Sequence, residues 1–180
     1  MVTPGPVIAT ARLILRPHRV EDFDDCAAMW ADPGVTRHIG GQPSTREQTW
    51  SRLLRYAGMW TLLGYGYWAI EDKTTHMFVG ELGFANFKRD IDAAYRAYPE
   101  MGWALAGAMH GRGYATEAVR AALDWSDANL AASHIMCLIG PENQASVRVA
   151  TKTGFSEYGG VTYRNAPALV FRRPRPAAPA

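Results

Sequence analysis

The chain has 180 residues, a length that suits one compact domain with a buried core. Apolar residues make up 48% of it and charged residues 20%, which excludes a largely disordered protein. The formal net charge of +2 is small and dispersed, so the chain lacks the basic stripe of a nucleic-acid-binding protein. We expect a single domain over residues 1–180, with a frayed tail of proline, alanine and arginine from about residue 172.

Cysteine content and hydropathy indicate the compartment. Cys26 and Cys137 lie far apart in apolar segments, which favours two buried, reduced thiols over a disulfide or a metal site. The longest apolar run, residues 101–109, is much shorter than the roughly 20 residues that span a bilayer. No apolar signal segment opens the chain. These features predict a cytoplasmic protein with neither a membrane segment nor a metal cofactor.

In chain order, the first half predicts two helices and then an antiparallel meander. A strand at residues 12–16 leads into an amphipathic helix over residues 21–30. Ser44 and Glu47 match a capping box that starts a helix running to about Gly58. Three β-rich runs separated by turn residues follow, at residues 65–71, 76–86 and 100–105.

The second half alternates strands with helices. Small apolar residues recur at helical spacing from Ala115, which is the clearest helix in the chain. A strand over residues 133–139, a short helix over residues 146–153 and two strands within residues 161–173 follow. This order predicts an α/β fold.

A glycine-containing loop at residues 110–116 joins a strand directly to that clearest helix. The free amides and positive dipole end of such a helix start bind phosphate or pyrophosphate. Gly113 lets the backbone approach the anion without a Cβ, Thr116 offers a hydroxyl and Arg112 a positive charge. The alternative is a glycine turn that only connects the two elements. A Walker loop and a dinucleotide fingerprint are both excluded, because their remaining motif residues are absent.

A second segment, residues 139–155, follows a strand end and opens another helix. Asn143 lies three residues before Ser146, so its side chain can cap that helix. Capping alone does not account for Lys152 followed by Gly154 and Phe155 at the helix exit.

Together the two segments resemble the GNAT superfamily of N-acetyltransferases, particularly its ribosomal-protein N-terminal acetyltransferase-like branch. His110-Gly-Arg-Gly-Tyr-Ala115 is similar to the family's Gln/Arg-x-x-Gly-x-Gly/Ala pyrophosphate loop, and Thr116-Glu117-Ala118 fits the branch. Asn143-x-x-Ser146 and Lys152-x-Gly154-Phe155 resemble the second coenzyme A motif. With the matching segments at residues 12–16 and 80–83, the resemblance covers about residues 10–173.

The resemblance implies a GNAT-type α/β fold: a strongly twisted mixed sheet of six or seven strands, splayed in the centre, with helices on both faces. It implies direct transfer of acetyl from acetyl-CoA to a primary amine, either a protein N-terminus or a small molecule. Neither cysteine lies near the motifs, so we expect no covalent enzyme intermediate. A homodimer is common among such proteins, and no nucleic-acid or membrane partner is expected.

The resemblance also assigns the acetyl-CoA contacts. They are His110, Gly111, Arg112, Gly113, Tyr114, Ala115, Thr116, Asn143, Ser146 and Lys152. The backbone amides of Trp103, Ala104 and Leu105 would hold the pantetheine arm and polarise the thioester carbonyl. His110 replaces the usual Gln or Arg, a change that a loop working through backbone amides tolerates.

The catalytic residues are less well defined by the resemblance. The tyrosine that protonates the leaving thiolate in many GNAT enzymes would fall at Ala150, and in this branch the serine matching Ser146 has that role. Ser146 is either that acid or only a cofactor contact. A carboxylate must accept the proton of the amine, with Glu100 the first candidate and Glu81 its competitor. The alternative functions are a coenzyme A-binding module without catalysis and, least favoured, a nucleotide-phosphate binder.

Overall fold

The computed structural model describes residues 5–176, which form one mixed sheet of eight strands. In chain order the strands are β1 (Ile8–Ala9), β2 (Leu13–Pro17), β3 (Tyr67–Asp72), β4 (Phe78–Ala85), β5 (Glu100–Leu105), β6 (His134–Ile139), β7 (Ser156–Tyr163) and β8 (Ala166–Pro174). Their spatial order is β1-β2-β3-β4-β5-β6-β8-β7, and β5 and β6 are the parallel pair. The α/β fold class is confirmed, but the sheet has eight strands instead of six or seven. The strand that we missed, β1, has two residues and leaves no periodic pattern.

Helices cover both faces of the sheet, as predicted. They are α1 (Phe23–Ala31), α2 (Pro33–Thr36), α3 (Arg46–Leu63), α4 (Ala93–Arg96), α5 (Tyr114–Asn129) and α6 (Gln144–Lys152). Leu82 of β4 packs in the core cluster that contains Ala118 of α5. The preceding residue, Glu81, instead accepts hydrogen bonds from Trp30 of α1 and Tyr56 of α3. Because neighbouring strand residues point to opposite faces, α5 and the α1–α3 group lie on opposite sides.

The first long helix begins one residue later than predicted. The hydroxyl of Thr45 accepts from the Gln48 N–H at 3.2 Å, and the Gln48 side chain accepts from the Thr45 N–H at 2.9 Å. Ser44 is held in the preceding loop, where its N–H donates to the Trp30 carbonyl at 2.8 Å. The box is therefore Thr45 with Gln48, and α3 passes through the predicted end to finish at Gly64.

The last strand extends further toward the C-terminus than we predicted. β8 continues to Pro174, where it pairs with His134 of β6. The Arg173 guanidinium donates to both oxygens of Asp127 at 2.6 and 2.8 Å. Residues 172–174 are therefore held by strand pairing and Arg173 by this ion pair, so β8 extends into the segment that we assigned to the frayed tail. The last four residues of the tail, 177–180, lie outside the described residues.

The centre of the sheet is splayed, as the resemblance implied. β4 and β5 are in register at six positions, from Gly80↔Leu105 to Ala85↔Glu100. β5 and β6 meet only at Glu100↔Met136 and then diverge. The gap therefore opens toward the carboxyl ends of both strands, and each of these ends leads into one of the two motif segments. Within residues 5–176, no helix is long and apolar enough to cross a bilayer.

Candidate active site

The edge of β5 that faces the splay carries unpaired backbone groups. The Met136 N–H donates to the Pro99 carbonyl at 3.1 Å, so Pro99 directs its carbonyl toward β6. Because the backbone groups of a strand alternate between its two edges, the N–H groups of Trp103 and Leu105 face the same way. β6 has diverged at both positions, which leaves these two N–H groups on the open edge.

The third predicted amide, that of Ala104, points in the opposite direction. The Ala106 N–H donates to the Val79 carbonyl next to β4 at 3.0 Å, and Ala104 shares this orientation. Its amide is directed into the β4–β5 ladder and not into the splay. Two of the three predicted amides therefore lie where a thioester can reach them.

The glycine-containing loop, residues 110–116, has the geometry of an anion site. Gly111 and Gly113 adopt left-handed φ values of 74° and 79°, which favour glycine. Gly113 is the N-cap of α5, and no side chain caps this helix start. The amides of the first turn, at residues 114–116, therefore have no cap to satisfy them. His110 folds back, with its Nε2 2.9 Å from the Leu105 carbonyl oxygen.

Two side chains from the turn between β1 and β2, those of Thr10 and Arg12, form a bracket that holds this loop. Glu117, in the first turn of α5, accepts from the Thr10 hydroxyl at 2.6 Å and from Arg12 Nε at 2.7 Å. Arg12 Nη1 also donates to the Arg112 carbonyl at 2.9 Å. Burial disfavours the charged form of Glu117. The hydrogen bonds from Thr10 and Arg12 outweigh this effect and hold the pKa of Glu117 below its ordinary value. We missed the bracket in the sequence because more than a hundred residues separate its two sides.

An open groove of about 1030 Å³ runs beside the loop. Gly113 and Thr116 of the loop line it together with Lys152, which lies at the end of α6. Arg12 and Arg120 also line its wall, together with the carboxylates Glu117 and Asp124. The structure thus brings the predicted contact Lys152 to the loop, although 36 positions separate Lys152 from Thr116 in the sequence.

The second motif starts α6 at the other side of the splay. Asn143 Oδ1 accepts from the Ser146 N–H at 3.1 Å, so Asn143 does cap the helix. Ser146 itself is half-buried in the first turn. Ala150, at the place of the family's tyrosine, is fully buried in the core cluster with α5. Ser146 is therefore the hydroxyl that this helix offers near its N-terminus.

The first candidate base, Glu100, lies at the narrow end of the splay. It is 9% exposed, and both its oxygens accept from Arg89 at 2.6 Å. The Arg89 guanidinium is itself packed between the rings of Phe87 and Tyr163, 4.7 and 4.6 Å from their centroids. Sequence analysis missed Arg89, which lies in a loop outside both motifs. The carboxylate is thus held in a fixed, paired orientation.

The competing carboxylate, Glu81, is 1% exposed beneath α1 and α3. It accepts from Trp30 Nε1 at 3.1 Å and from the Tyr56 hydroxyl. Burial raises the pKa of Glu81, and the bonds from these two residues oppose that effect. Cys26 and His18 complete the buried group, with Cys26 Sγ 4.0 Å from both Glu81 Oε2 and His18 Nδ1. Glu81 therefore serves as an anchor for two helices and does not face the splay.

These features define a class of protein. Two diverging parallel strands, an uncapped helix start at their carboxyl ends and a second helix beside it form the fold of acyltransferases that use coenzyme A thioesters. The family model of the acetyltransferase (GNAT) domain matches residues 12–156 of the chain. The chain belongs to the GNAT family.

Individual relatives agree with this assignment. The uncharacterized protein YkkB of Bacillus subtilis strain 168 is 35% identical over 175 residues, which are 92% of this chain and 94% of YkkB. The crystal structure of an acetyltransferase from Agrobacterium tumefaciens strain C58 is 27% identical, with a TM-score of 0.81 and coverage of 96% of each chain. The ribosomal L7/L12 alpha-N-protein acetyltransferase RimL, solved with coenzyme A, shares the fold at 14% identity, with a TM-score of 0.75 over 94% of this chain and 98% of RimL.

Proposed function

We propose that the protein transfers an acetyl group from acetyl-CoA directly to a primary amine, on a protein N-terminus or on a small molecule. The observation that carries the proposal is the shared location of three features. The free amides of β5, the uncapped start of α5 and the start of α6 all lie at the carboxyl ends of the two diverging strands. One extended thioester can therefore contact all three.

In this proposal each part of acetyl-CoA has its own contacts. The pyrophosphate lies on the amides of residues 112–116, next to the positive end of the α5 dipole. The nucleotide end occupies the groove, where Arg120 and Lys152 supply positive charge. The pantetheine arm follows the open edge of β5, and the thioester oxygen accepts from the Trp103 amide as charge develops on it. The RimL structure, which has the same fold and holds coenzyme A, supports this arrangement.

The reaction joins the amine nitrogen to the carbonyl carbon and breaks the carbon–sulfur bond. The ammonium of the acceptor must first lose a proton, and Glu100 is the proposed base. The departing thiolate takes a proton from the Ser146 hydroxyl, directly or through water, and the serine recovers a proton from solvent. The nitrogen, once bonded to the carbonyl carbon, releases its remaining extra proton to solvent. Neither cysteine takes part, since both are buried and burial raises the pKa of each thiol. A cytoplasmic location, a homodimer and a single domain over residues 1–180 stay predictions.

A coenzyme A-binding module without catalysis is the second candidate. The pairing of Glu100 with Arg89 and the burial of Glu81 favour it, because the oxygens of both carboxylates already accept hydrogen bonds from other side chains. Thiol release from acetyl-CoA, measured with peptide N-termini, amino acids, polyamines and aminoglycosides, separates the two. The proposal predicts release that depends on at least one amine. Tight coenzyme A binding without release would establish the module.

Replacing Ser146 with alanine should lower kcat by about 100-fold at most and leave the affinity for acetyl-CoA unchanged. Loss of a general acid typically costs about 10² to 10⁴-fold, and coenzyme A thiolate leaves tolerably well without a proton. The measurement is steady-state kinetics with the best acceptor, together with calorimetry of acetyl-CoA binding. An unchanged kcat, with chemistry shown to limit the rate, would reduce Ser146 to a cofactor contact.

Replacing Glu100 with glutamine should lower kcat/KM for the amine at neutral pH and restore much of it at alkaline pH. At high pH the free amine is already abundant, so the base is no longer needed. Glu157→Gln, which changes an exposed carboxylate on β7, is the matched control. If kcat/KM of Glu100→Gln matches that of the control at every pH, the Glu100–Arg89 pair is structural.

A further inference from the structure

A row of three residues crosses the centre of the sheet. Tyr67 of β3 pairs with Gly83 of β4, and Gly83 pairs with Gly102 of β5. Residues that are paired in this way share a face of the sheet. The Tyr67 ring stacks on that of Tyr56 in α3, with centroids 4.3 Å apart and planes 3° apart. The row therefore lies on the face of the sheet covered by α1 and α3.

The two glycines make room for the tyrosine side chain. A Cβ built on Gly102 would overlap the Tyr67 hydroxyl. Glycine within a strand often marks such a close approach. A Cβ on Gly83 would meet the backbone of Gly66 and Tyr67, so glycine there lets β3 approach β4 closely, and the Tyr67 hydroxyl then reaches Gly102 of β5.

The hydroxyl is delivered to the splay itself. Gly102 lies two residues beyond Glu100, where β5 and β6 make their last pairing, and both Gly102 and Trp103 are partly exposed. The Trp103 N–H, on the open edge of β5, belongs to the residue next to Gly102. Ser146 lies in the first turn of α6, and α6 packs with α5 on the opposite face of the sheet. A thioester on the Trp103 amide would thus have Ser146 on one side and Tyr67 on the other.

The surroundings keep this phenol neutral. Burial raises the pKa of Tyr67, and the nearby carboxylates Glu100 and Glu81 raise it further. The stack on Tyr56, whose own hydroxyl is bonded to Glu81, fixes the ring. A neutral, rigid hydroxyl can accept a hydrogen bond from an amine N–H but cannot serve as its base.

We propose that the Tyr67 hydroxyl binds the nitrogen of the acceptor amine and turns its lone pair toward the thioester carbon. This role rests on the proposed acetyl transfer. It assigns the acceptor to the face covered by α1 and α3, and the leaving thiolate to the face covered by α5 and α6. Tyr67 is then a specificity-determining contact for small, unhindered amines, because the residue is only 7% exposed and the nitrogen must reach its hydroxyl.

The test is Tyr67→Phe, which keeps the ring and its stack and removes only the hydroxyl. We expect KM for the best amine to rise about tenfold, the effect of one lost hydrogen bond, and the calorimetric affinity for acetyl-CoA to stay the same. Since the phenol is neutral, the rise should be equal at pH 7 and pH 9. Tyr158→Phe is the control: it removes the hydroxyl of an exposed tyrosine on β7 and should leave KM for the amine unchanged.

Each outcome bears on a different claim. A KM for the amine that equals the wild-type value in an active Tyr67→Phe protein overturns the role of Tyr67 and leaves the proposed function intact. A pH-dependent loss of kcat/KM overturns it as well, because it would make the phenol a base. No turnover by the wild type with any amine overturns both the role and the proposed function.

Discussion

Replacing Gly113 with valine is expected to abolish acetyl-CoA binding in a protein that still folds. Gly113 is the N-cap of α5 at a φ of 79°, a conformation that a β-branched residue adopts only with strain. The new side chain also stands in the path of the anion, next to Arg12 of the bracket. Each hydrogen bond to a charged group is worth about 1.5–3 kcal/mol, so losing two weakens binding by roughly 100-fold or more.

Calorimetry with acetyl-CoA measures this loss, and circular dichroism checks the fold. Gly64→Val is the matched control, because Gly64 ends α3 at a φ of 72° with open space around it, away from the loop. The control should lose similar stability and keep its affinity. Unchanged affinity in Gly113→Val would remove the loop from the mechanism.

The second large effect concerns His18 and acid stability. The His18 side chain is 2% exposed, and burial lowers its pKa from the ordinary 6.5 to about 4, although Asp22 opposes this shift. Arg16 adds to the lowering, and the ring packs beside Cys26 and Tyr56. Folded protein therefore keeps a neutral imidazole at pH values where the unfolded chain binds a proton.

Because the folded pKa is depressed, stability should fall as the pH drops from about 6.5 to about 4 and change no further below that range through this group. The difference corresponds to roughly 3 kcal/mol. Urea unfolding of the wild type and of His18→Gln, at pH 4 and pH 7, measures it. The wild type should lose about 3 kcal/mol more than the variant.

The free energy of unfolding of each protein at pH 7 serves as its own reference, so that only the change with pH is compared. Equal losses in the wild type and His18→Gln would show that the imidazole is protonated in the folded protein.

Local motifs predicted the two segments that meet at one edge of the sheet. The two glycines before α5 and the Asn143–Ser146 pair are signals a few residues long, and the structure places both motifs at the same edge of the sheet. Helix caps are also local signals, yet the observed cap is Thr45 and the predicted one was Ser44, because both positions fit the same short pattern. The Ser44 N–H donates to the carbonyl of Trp30, which is distant in the sequence, and this contact holds Ser44 outside the helix.

The acceptor side was much less predictable, since it depends on pairings between distant strands and loops. The orientation of the Ala104 amide follows from the register of β5 against β4, which no residue type encodes. Arg89 reaches Glu100 from a loop without a motif. Tyr67 meets Gly102 only because three strands align, although glycine within a β-rich run is a signal that could have marked the approach.

The most direct test of the central claim is a product analysis. Purified protein is incubated with acetyl-CoA and the best amine of the panel, and acetylated amine and free coenzyme A are quantified together by mass spectrometry. The account predicts equal amounts of the two products, formed only when protein, thioester and amine are all present. Coenzyme A released at the same rate without the amine, or bound acetyl-CoA that never yields acetylated amine, would contradict it.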